Sequence, residues 1–173
     1  KNAGCKSKED VVFTIKKIID DILAESTSLT LIGGDVSSEF SIFELFVKML
    51  RKLAGSGRRT FVFVLGNHEL WNFPGLSVDE IVDKYRTVLK ENGMYLLHND
   101  LFYRNESDDM GIIPYDELIQ SDNPAILEKL RCTRLVILGG LGFSGYNEEF
   151  NANDGVYRAT VDRNTEIQES KKF

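Results

Sequence analysis

The chain contains Leu31-Ile32-Gly33-Gly34-Asp35 and, further on, Val64-Leu65-Gly66-Asn67-His68-Glu69, two apolar runs that each end in glycine and then in metal-capable side chains. A short apolar run predicts a buried strand, and the glycine after it allows the chain to turn sharply. Side chains that follow such strands are held in the crevice at the edge of the sheet. The two runs therefore predict two strand ends that share one site.

The side chains at these strand ends suit hydrolytic metal chemistry. Asp35 offers a carboxylate that can bridge two cations, and Asn67 offers a neutral carbonyl oxygen. His68 offers a nitrogen that can bind a metal or carry a proton. Glu69 follows directly, and we expect it to fix the loop by hydrogen bonds rather than to bind a metal.

The rest of the chain alternates helical and strand patterns. Apolar spacing predicts helices over 7–24, 42–53, 77–93 and 124–131 and strands over 29–33, 60–65, 95–97, 101–103 and 135–138. We expect the last strand to be buried and residues 98–100 to form a tight hairpin-like connection. The alternation favours an α/β layered fold with mixed sheet pairing.

Composition narrows the classes of partner. The 173 residues fit one domain over 1–173, and the net charge of -6 argues against broad nucleic-acid binding. No apolar stretch approaches the roughly 20 residues that span a bilayer, so no membrane partner is expected. Cys5 and Cys132 lie far apart without metal-ligand spacing, which favours a reduced, cytoplasmic protein.

The two motifs in this order resemble those of the calcineurin-like metallophosphoesterases. Sequences of that family carry, in order, Asp-x-His, Gly-Asp, Gly-Asn-His-Asp/Glu, a lone His and Gly-His-x-His. The resemblance covers about 29–138 and implies a layered αββα sandwich, with mixed β-sheets flanked by helices. It also implies a phosphoester hydrolase in which a metal-activated water attacks the ester without a covalent phosphoenzyme.

The same resemblance implies a role for each matching residue. Asp35 would bridge two divalent ions, Asn67 would bind the second ion, and His68 would be the catalytic residue facing the scissile phosphoester. A carboxylate and an amide oxygen suit hard or borderline ions, so Mn, Fe or Zn is expected.

The chain also departs from the family pattern. His68 and His98 are its only histidines, so the Asp-x-His, lone-His and Gly-His-x-His blocks are absent. We therefore expect an incomplete domain, an internal piece of a longer metallophosphoesterase. Its polar tail over 161–173 is expected to be either mobile or an isolated strand. Alone, this piece should bind metal weakly and turn over little or no substrate.

Ser38 and Glu39 stand where the protein Ser/Thr phosphatase branch has an acidic residue followed by Arg. This difference favours the broad phosphoesterase group, whose substrates range from nucleotides to lipid intermediates, over the protein phosphatases. The expected partner is a small-molecule or phosphoprotein phosphoester substrate.

Several alternatives stay open at the level of sequence. His98 is either a third metal ligand or, as we expect, a surface or strand-edge histidine. Gly140–Gly145 matches the dinucleotide-binding pattern G-x-G-x-x-G, although we favour a loop lining the phosphoesterase crevice, with Tyr146 and Asn147 as substrate contacts. The aromatic residues after Glu69 are expected to pack, with a substrate-holding rim as the alternative. The remaining hypothesis is a non-catalytic scaffold that has lost its metals.

Overall fold

The structure is a computed structural model that describes residues 7–25, 28–55, 59–120, 123–142 and 161–172. Helices and strands alternate within these segments. Their order is α1 (Lys8–Glu25), β1 (Leu29–Ile32), α2 (Phe40–Ala54), β2 (Thr60–Phe63), a 3₁₀ turn (His68–Leu70), α3 (Val78–Glu91), β3 (Tyr95–Leu96), β4 (Asp100–Asn105), β5 (Met110–Ile113), α4 (Tyr115–Leu118), α5 (Pro124–Arg131), β6 (Thr133–Gly139) and α6 (Arg163–Ser170). The predicted mixed α/β class is confirmed.

The first sheet is parallel and places β2 between β1 and β3. Leu31 lies opposite Val62, and Phe63 lies opposite Leu96. All four residues of β2 are buried, because this strand has a neighbour on each side and packed layers on both faces. Helices α2 and α3 connect successive strands, so the carboxyl ends of β1 and β2 lie at the same edge of the sheet.

The first three helices cover one face of this sheet. Their buried side chains recur at helical spacing, as the sequence predicts, and include Ile15, Ile19, Phe43, Phe46, Val47, Leu50, Ile81, Val82, Tyr85 and Leu89. The start of α3 is the predicted capping box. The Ser77 hydroxyl accepts a hydrogen bond from the Glu80 N–H, and the Glu80 carboxylate accepts one from the Ser77 N–H.

The second sheet is antiparallel and places β4 between β5 and β6. Phe102 of β4 packs with Val62 and Leu97 in a buried cluster between the two sheets. Helix α5 lies against β4. The parallel sheet therefore lies between the first three helices and the antiparallel sheet.

Strand β6 is not the buried strand that the apolar run predicts. Its side chains alternate between half-buried and exposed positions, and Val136 and Leu138 are exposed. Ile137 packs in the cluster between the sheets, whereas its neighbours point to the outer face. The prediction of a buried strand over 135–138 is therefore wrong, because only one face of β6 meets the other sheet.

Strands β3 and β4 do not form the predicted hairpin. β3 pairs with β2 in the first sheet, whereas β4 pairs with β5 and β6 in the second. Residues 97–99 cross from one sheet to the other, and Asn99 adopts a positive φ of 62° in this crossing. The sequence predicts a turn at 98–100, but the chain changes sheets there instead of forming a hairpin.

Residues 163–170 form helix α6, where the sequence predicts a mobile tail or an isolated strand. Asp162 begins the helix, because its Oδ1 accepts a hydrogen bond from the Thr165 N–H at 2.7 Å. The segment buries the side chains of Val161, Glu166 and Glu169. Ile167 is the only apolar residue within α6, so hydrophobic spacing gave no signal for it.

Among the residues that the structure describes, no helix has the length and apolar character needed to cross a bilayer.

Candidate functional site

The two predicted strand ends meet at one edge of the parallel sheet. After β1 the backbone turns through Gly34, with φ of 86°, and Asp35, with φ of 54°. Glycine adopts such values readily, whereas for aspartate they are uncommon and concentrate at functional sites. Asp35 is exposed at this edge, and Asn67 and His68, which follow β2, are half-buried.

The two loops touch so closely that both contact positions require glycine. A Cβ atom on Gly34 would lie 2.4 Å from the backbone nitrogen of Gly66. A Cβ atom on Gly66 would lie 2.1 Å from Oδ1 of Asp35. The glycines of the two motifs therefore allow the loops to pack backbone against backbone.

The Glu69 carboxylate joins the two loops. Its side chain is completely buried. Oε2 accepts hydrogen bonds from the N–H groups of Asp35 at 2.9 Å and Gly66 at 2.8 Å. Oε1 accepts a third hydrogen bond, from the N–H of Ser37, at 3.1 Å. One carboxylate thus satisfies backbone donors from both loops, which fixes the positions of the residues beside them.

Three further hydrogen bonds join the loops on their exposed side. Oδ1 of Asp35 accepts a hydrogen bond from the His68 N–H at 3.1 Å. The side-chain amide of Asn72 donates to the Ser38 carbonyl oxygen at 2.9 Å and to Oε1 of Glu39 at 3.1 Å. Ser38 and Glu39 therefore help to join the loops.

The aromatic residues after Glu69 divide into two roles. Phe73 is buried and packs edge-on against Phe40 and Tyr85, so it belongs to the core. Trp71 is half-buried and stacks on His68, with ring centroids 3.6 Å apart and the planes inclined by 31°. The Tyr85 hydroxyl donates to the Glu69 carbonyl oxygen at 3.0 Å and ties the 3₁₀ turn to α3.

The sequence interpretation did not identify Asn72 and Tyr85 as supports of the site. Their contacts join positions 33 and 16 residues apart in the sequence. Such contacts depend on tertiary packing and leave no local pattern. The only sequence signal for these supports was the aromatic stretch after the second motif. It marks the 3₁₀ turn but does not show which ring contacts His68.

His98 is buried instead of lying at the surface. It is 8% exposed, and its Nε2 lies 3.7 Å from Oε2 of Glu169 in α6. Burial lowers the pKa of the His98 imidazole, and the nearby Glu169 carboxylate opposes this shift. In the described part of the chain His98 joins no cluster of three potential metal-binding side chains.

A cavity of about 790 Å³ lies beside His98, along α3 and β3. Its lining includes Arg86, Tyr95 and Asp100 but none of Asp35, Asn67 and His68. The candidate site is therefore an exposed junction of two loops and not this cavity. Tyr146, Asn147 and part of Gly140–Gly145, the predicted substrate contacts and dinucleotide loop, lie outside the described residues.

The chemistry of Asp35 and Asn67 fits part of a divalent-cation site. An exposed carboxylate and an amide oxygen are ligands that hard and borderline cations accept. Two ligands are fewer than the four or more that such ions require from protein and water together. Within the described residues no group of three or more His, Cys, Asp or Glu side chains is placed to hold a metal ion. These residues therefore supply a partial ligand set.

Comparison with protein families matches residues 10–166 to the calcineurin-like phosphoesterases. The chain belongs to this family. The match covers the two strand-end motifs, both sheets and the helices between them, and it confirms the resemblance that the motifs suggest. Members of this family are phosphoester hydrolases that generally bind divalent metals. Comparisons with curated proteins and with solved structures give no match.

Proposed function

We propose that the chain contributes Asp35, Asn67 and His68 to a dinuclear, metal-dependent site that hydrolyses small-molecule phosphoesters. The observation that carries the proposal is the joined pair of loops. Glu69 and the two glycines hold the loops together, and the three side chains emerge at one edge of the sheet. Rigid support of this kind is what a catalytic constellation requires.

Asp35 and Asn67 would hold the cations, and His68 would face the ester. Two divalent cations, when bound, would stabilise the charge on the phosphoryl group and lower the pKa of a water molecule. Asp35 would carry negative charge between the cations, and Asn67 would add a neutral oxygen to one of them. The His68 imidazole would give a proton to the leaving oxygen.

Asp35 would also act through the main chain of the site. Asp35 positions the His68 main chain by accepting its N–H, so the same residue would serve the cations and the proton donor. Glu69 would bind no cation, because its two oxygens already accept three backbone hydrogen bonds.

The test uses the protein expressed from its complete reading frame, with Mn²⁺ and bis(4-nitrophenyl) phosphate or 4-nitrophenyl phosphate. Asp35→Asn should lower both metal occupancy and hydrolysis. Asparagine tolerates the positive φ at this position, so the loss would reflect the missing charge and not a distorted loop.

On an alkyl phosphoester, whose leaving oxygen needs a proton, His68→Ala should lower turnover while leaving the metals bound, because the proposal assigns it proton transfer and not coordination. Metal content by elemental analysis, measured beside hydrolysis, separates the two variants. Unchanged Mn²⁺-dependent hydrolysis in both variants would reject the assignment of the site.

A further inference from the structure

Trp71 and His68 form a stacked pair within one turn of the chain. The main-chain N–H of Trp71 donates to the His68 carbonyl oxygen at 3.2 Å, which places the two residues one above the other. Their ring centroids are 3.6 Å apart. This is closer than the 4.5 to 7 Å, roughly, that is usual for aromatic pairs. The indole therefore limits the orientations that are open to the imidazole.

Two different contacts control two different parts of His68. Oδ1 of Asp35 accepts the His68 main-chain N–H, and this bond fixes the backbone but leaves the side-chain torsions free. The stack on Trp71 restricts those torsions. The turn itself is anchored because its Leu70 side chain is fully buried.

We propose that Trp71 is a positioning residue that holds the His68 imidazole where it can protonate the leaving oxygen. This inference rests on the proposed function. In the step concerned, the oxygen of water forms a bond to phosphorus, and the bond from phosphorus to the leaving oxygen breaks with its electron pair. The leaving oxygen takes a proton from His68, and His68 recovers one from solvent, which receives the proton that water releases.

The stack also bears on the alternative of a substrate-holding aromatic rim. One face of the Trp71 indole is occupied by His68. Phe73 is buried in the core and offers no exposed ring. A platform for the substrate would make Trp71 matter for KM, whereas a positioning residue makes it matter for kcat.

The first experiment compares Trp71→Leu and Trp71→Phe on two esters, using the protein from the complete reading frame with Mn²⁺. One ester has a 4-nitrophenolate leaving group, which departs readily without a proton. The other has an alkoxide leaving group, which needs one. General acid catalysis contributes about 100-fold or more, and a misplaced ring forfeits part of it.

Trp71→Leu should lower kcat on the alkyl ester about 10- to 100-fold, with KM nearly unchanged and little effect on the nitrophenyl ester. Trp71→Phe should restore most of this loss, because a smaller aromatic ring can still stack. Equal losses on both esters would overturn the positioning role, and so would a raised KM with unchanged kcat.

A second measurement records the fluorescence of Trp71 and therefore needs no enzymatic activity. Trp71 is the only tryptophan in the chain. A protonated imidazole in van der Waals contact quenches indole fluorescence, so the emission is compared at a pH below the ordinary histidine pKa of about 6.5. His68→Ala should therefore brighten the emission of Trp71. His98→Asn is the matched control, since it removes the only other histidine and should leave the emission unchanged. Equal emission in wild type and His68→Ala would show that the rings do not stack.

The outcomes separate the two proposals. If the wild-type protein hydrolyses neither ester with Mn²⁺, both proposals fail. If it hydrolyses both esters but Trp71→Leu shows no selective loss on the alkyl ester, only the role of Trp71 fails. Circular dichroism and urea unfolding of both Trp71 variants show whether the fold is retained, and Trp71→Phe provides the test if Trp71→Leu does not fold.

Discussion

Two buried glutamates in this chain are held in opposite ways. Glu69, between the strand-end loops, accepts three hydrogen bonds from backbone N–H groups. Glu169, in α6, accepts one from Nζ of Lys172 at 2.6 Å, and its other oxygen has no hydrogen-bond partner among the described residues. That second oxygen faces Nε2 of His98 at 3.7 Å.

The difference shows where the fold is built to be rigid. A buried carboxylate loses the hydration that water gives it, and well-placed donors must replace that hydration. Backbone donors are already fixed by the chain, so Glu69 joins two loops with little freedom left. Glu169 depends on a flexible lysine and on a histidine beyond hydrogen-bond distance. The rigid arrangement lies at the candidate site, and the looser one lies away from it.

The largest expected effect comes from Glu69→Ala. It would leave three backbone N–H groups without their partner, at a cost of about 1 to 3 kcal/mol for each buried donor. We expect the free energy of unfolding to fall by roughly 3 to 5 kcal/mol, because water would reach part of the space. Glu69→Gln keeps one acceptor oxygen and should lose less. Urea unfolding measures both, and a loss of less than about 1 kcal/mol in Glu69→Ala would contradict the role of this carboxylate.

Gly66→Ala should have the next largest effect, because its Cβ would overlap Asp35, including the main-chain nitrogen at 2.6 Å. Overpacking of this kind costs about 1 to 3 kcal/mol, and here the backbone must move. Gly33→Ala is the matched control, since its Cβ would meet nothing within 4 Å. It should change stability by less than about 0.5 kcal/mol. Similar losses in the two variants, measured by thermal unfolding, would argue against a close contact of the loops.

The His98 pair should make stability depend on pH. Burial lowers the His98 pKa in the folded state, so the unfolded chain binds the proton more readily. The resulting stability is fully present above the ordinary pKa of about 6.5 and is lost as pH falls through the folded-state value. The slope is at most about 1.4 kcal/mol per pH unit.

Urea unfolding between pH 5 and 7.5 checks this dependence. His98→Gln should flatten this part of the profile. His68→Gln is the control, because it removes the other histidine and should leave the contribution of His98 in place. An unchanged profile in His98→Gln would contradict the assignment to His98.

Glu169→Gln should have the smallest effect and gives the most direct contrast with Glu69→Gln. Its amide oxygen can still accept from Lys172, and its NH₂ group can donate to the His98 ring nitrogen that now lies beyond hydrogen-bond distance. We expect a change within about 0.5 kcal/mol of wild type. If Glu169→Gln cost as much as Glu69→Gln in urea unfolding, the two carboxylates would be equally important and the comparison would fail.

The elements that could be predicted from sequence are those with a local signal. The spacing in α1, the capping box of α3 and Pro124 at the start of α5 each mark a helix within a few residues. The strand-glycine motifs placed Asp35 and Asn67 at one edge of one sheet, because parallel strands joined by helices leave little choice.

The features that sequence missed depend on contacts between distant residues. Helix α6 has a single apolar residue, so its position depends on the Asp162 cap and on packing. Strand β5 pairs with β4 through a turn that was not recognised. The assignment of 98–100 as a hairpin failed because turn residues do not show which sheet the next strand joins. The stack of Trp71 on His68 follows from the 3₁₀ turn, which the motif alone does not reveal.

The proposed function requires that the joined loops present Asp35 and Asn67 to a divalent cation. A crystal structure of the protein from its complete reading frame, grown with Mn²⁺, tests it through anomalous difference density. We expect a peak within about 2.0 to 2.6 Å of an Asp35 carboxylate oxygen, with the Asn67 side-chain oxygen also coordinated at this edge. A fully occupied metal that contacts neither residue would contradict it.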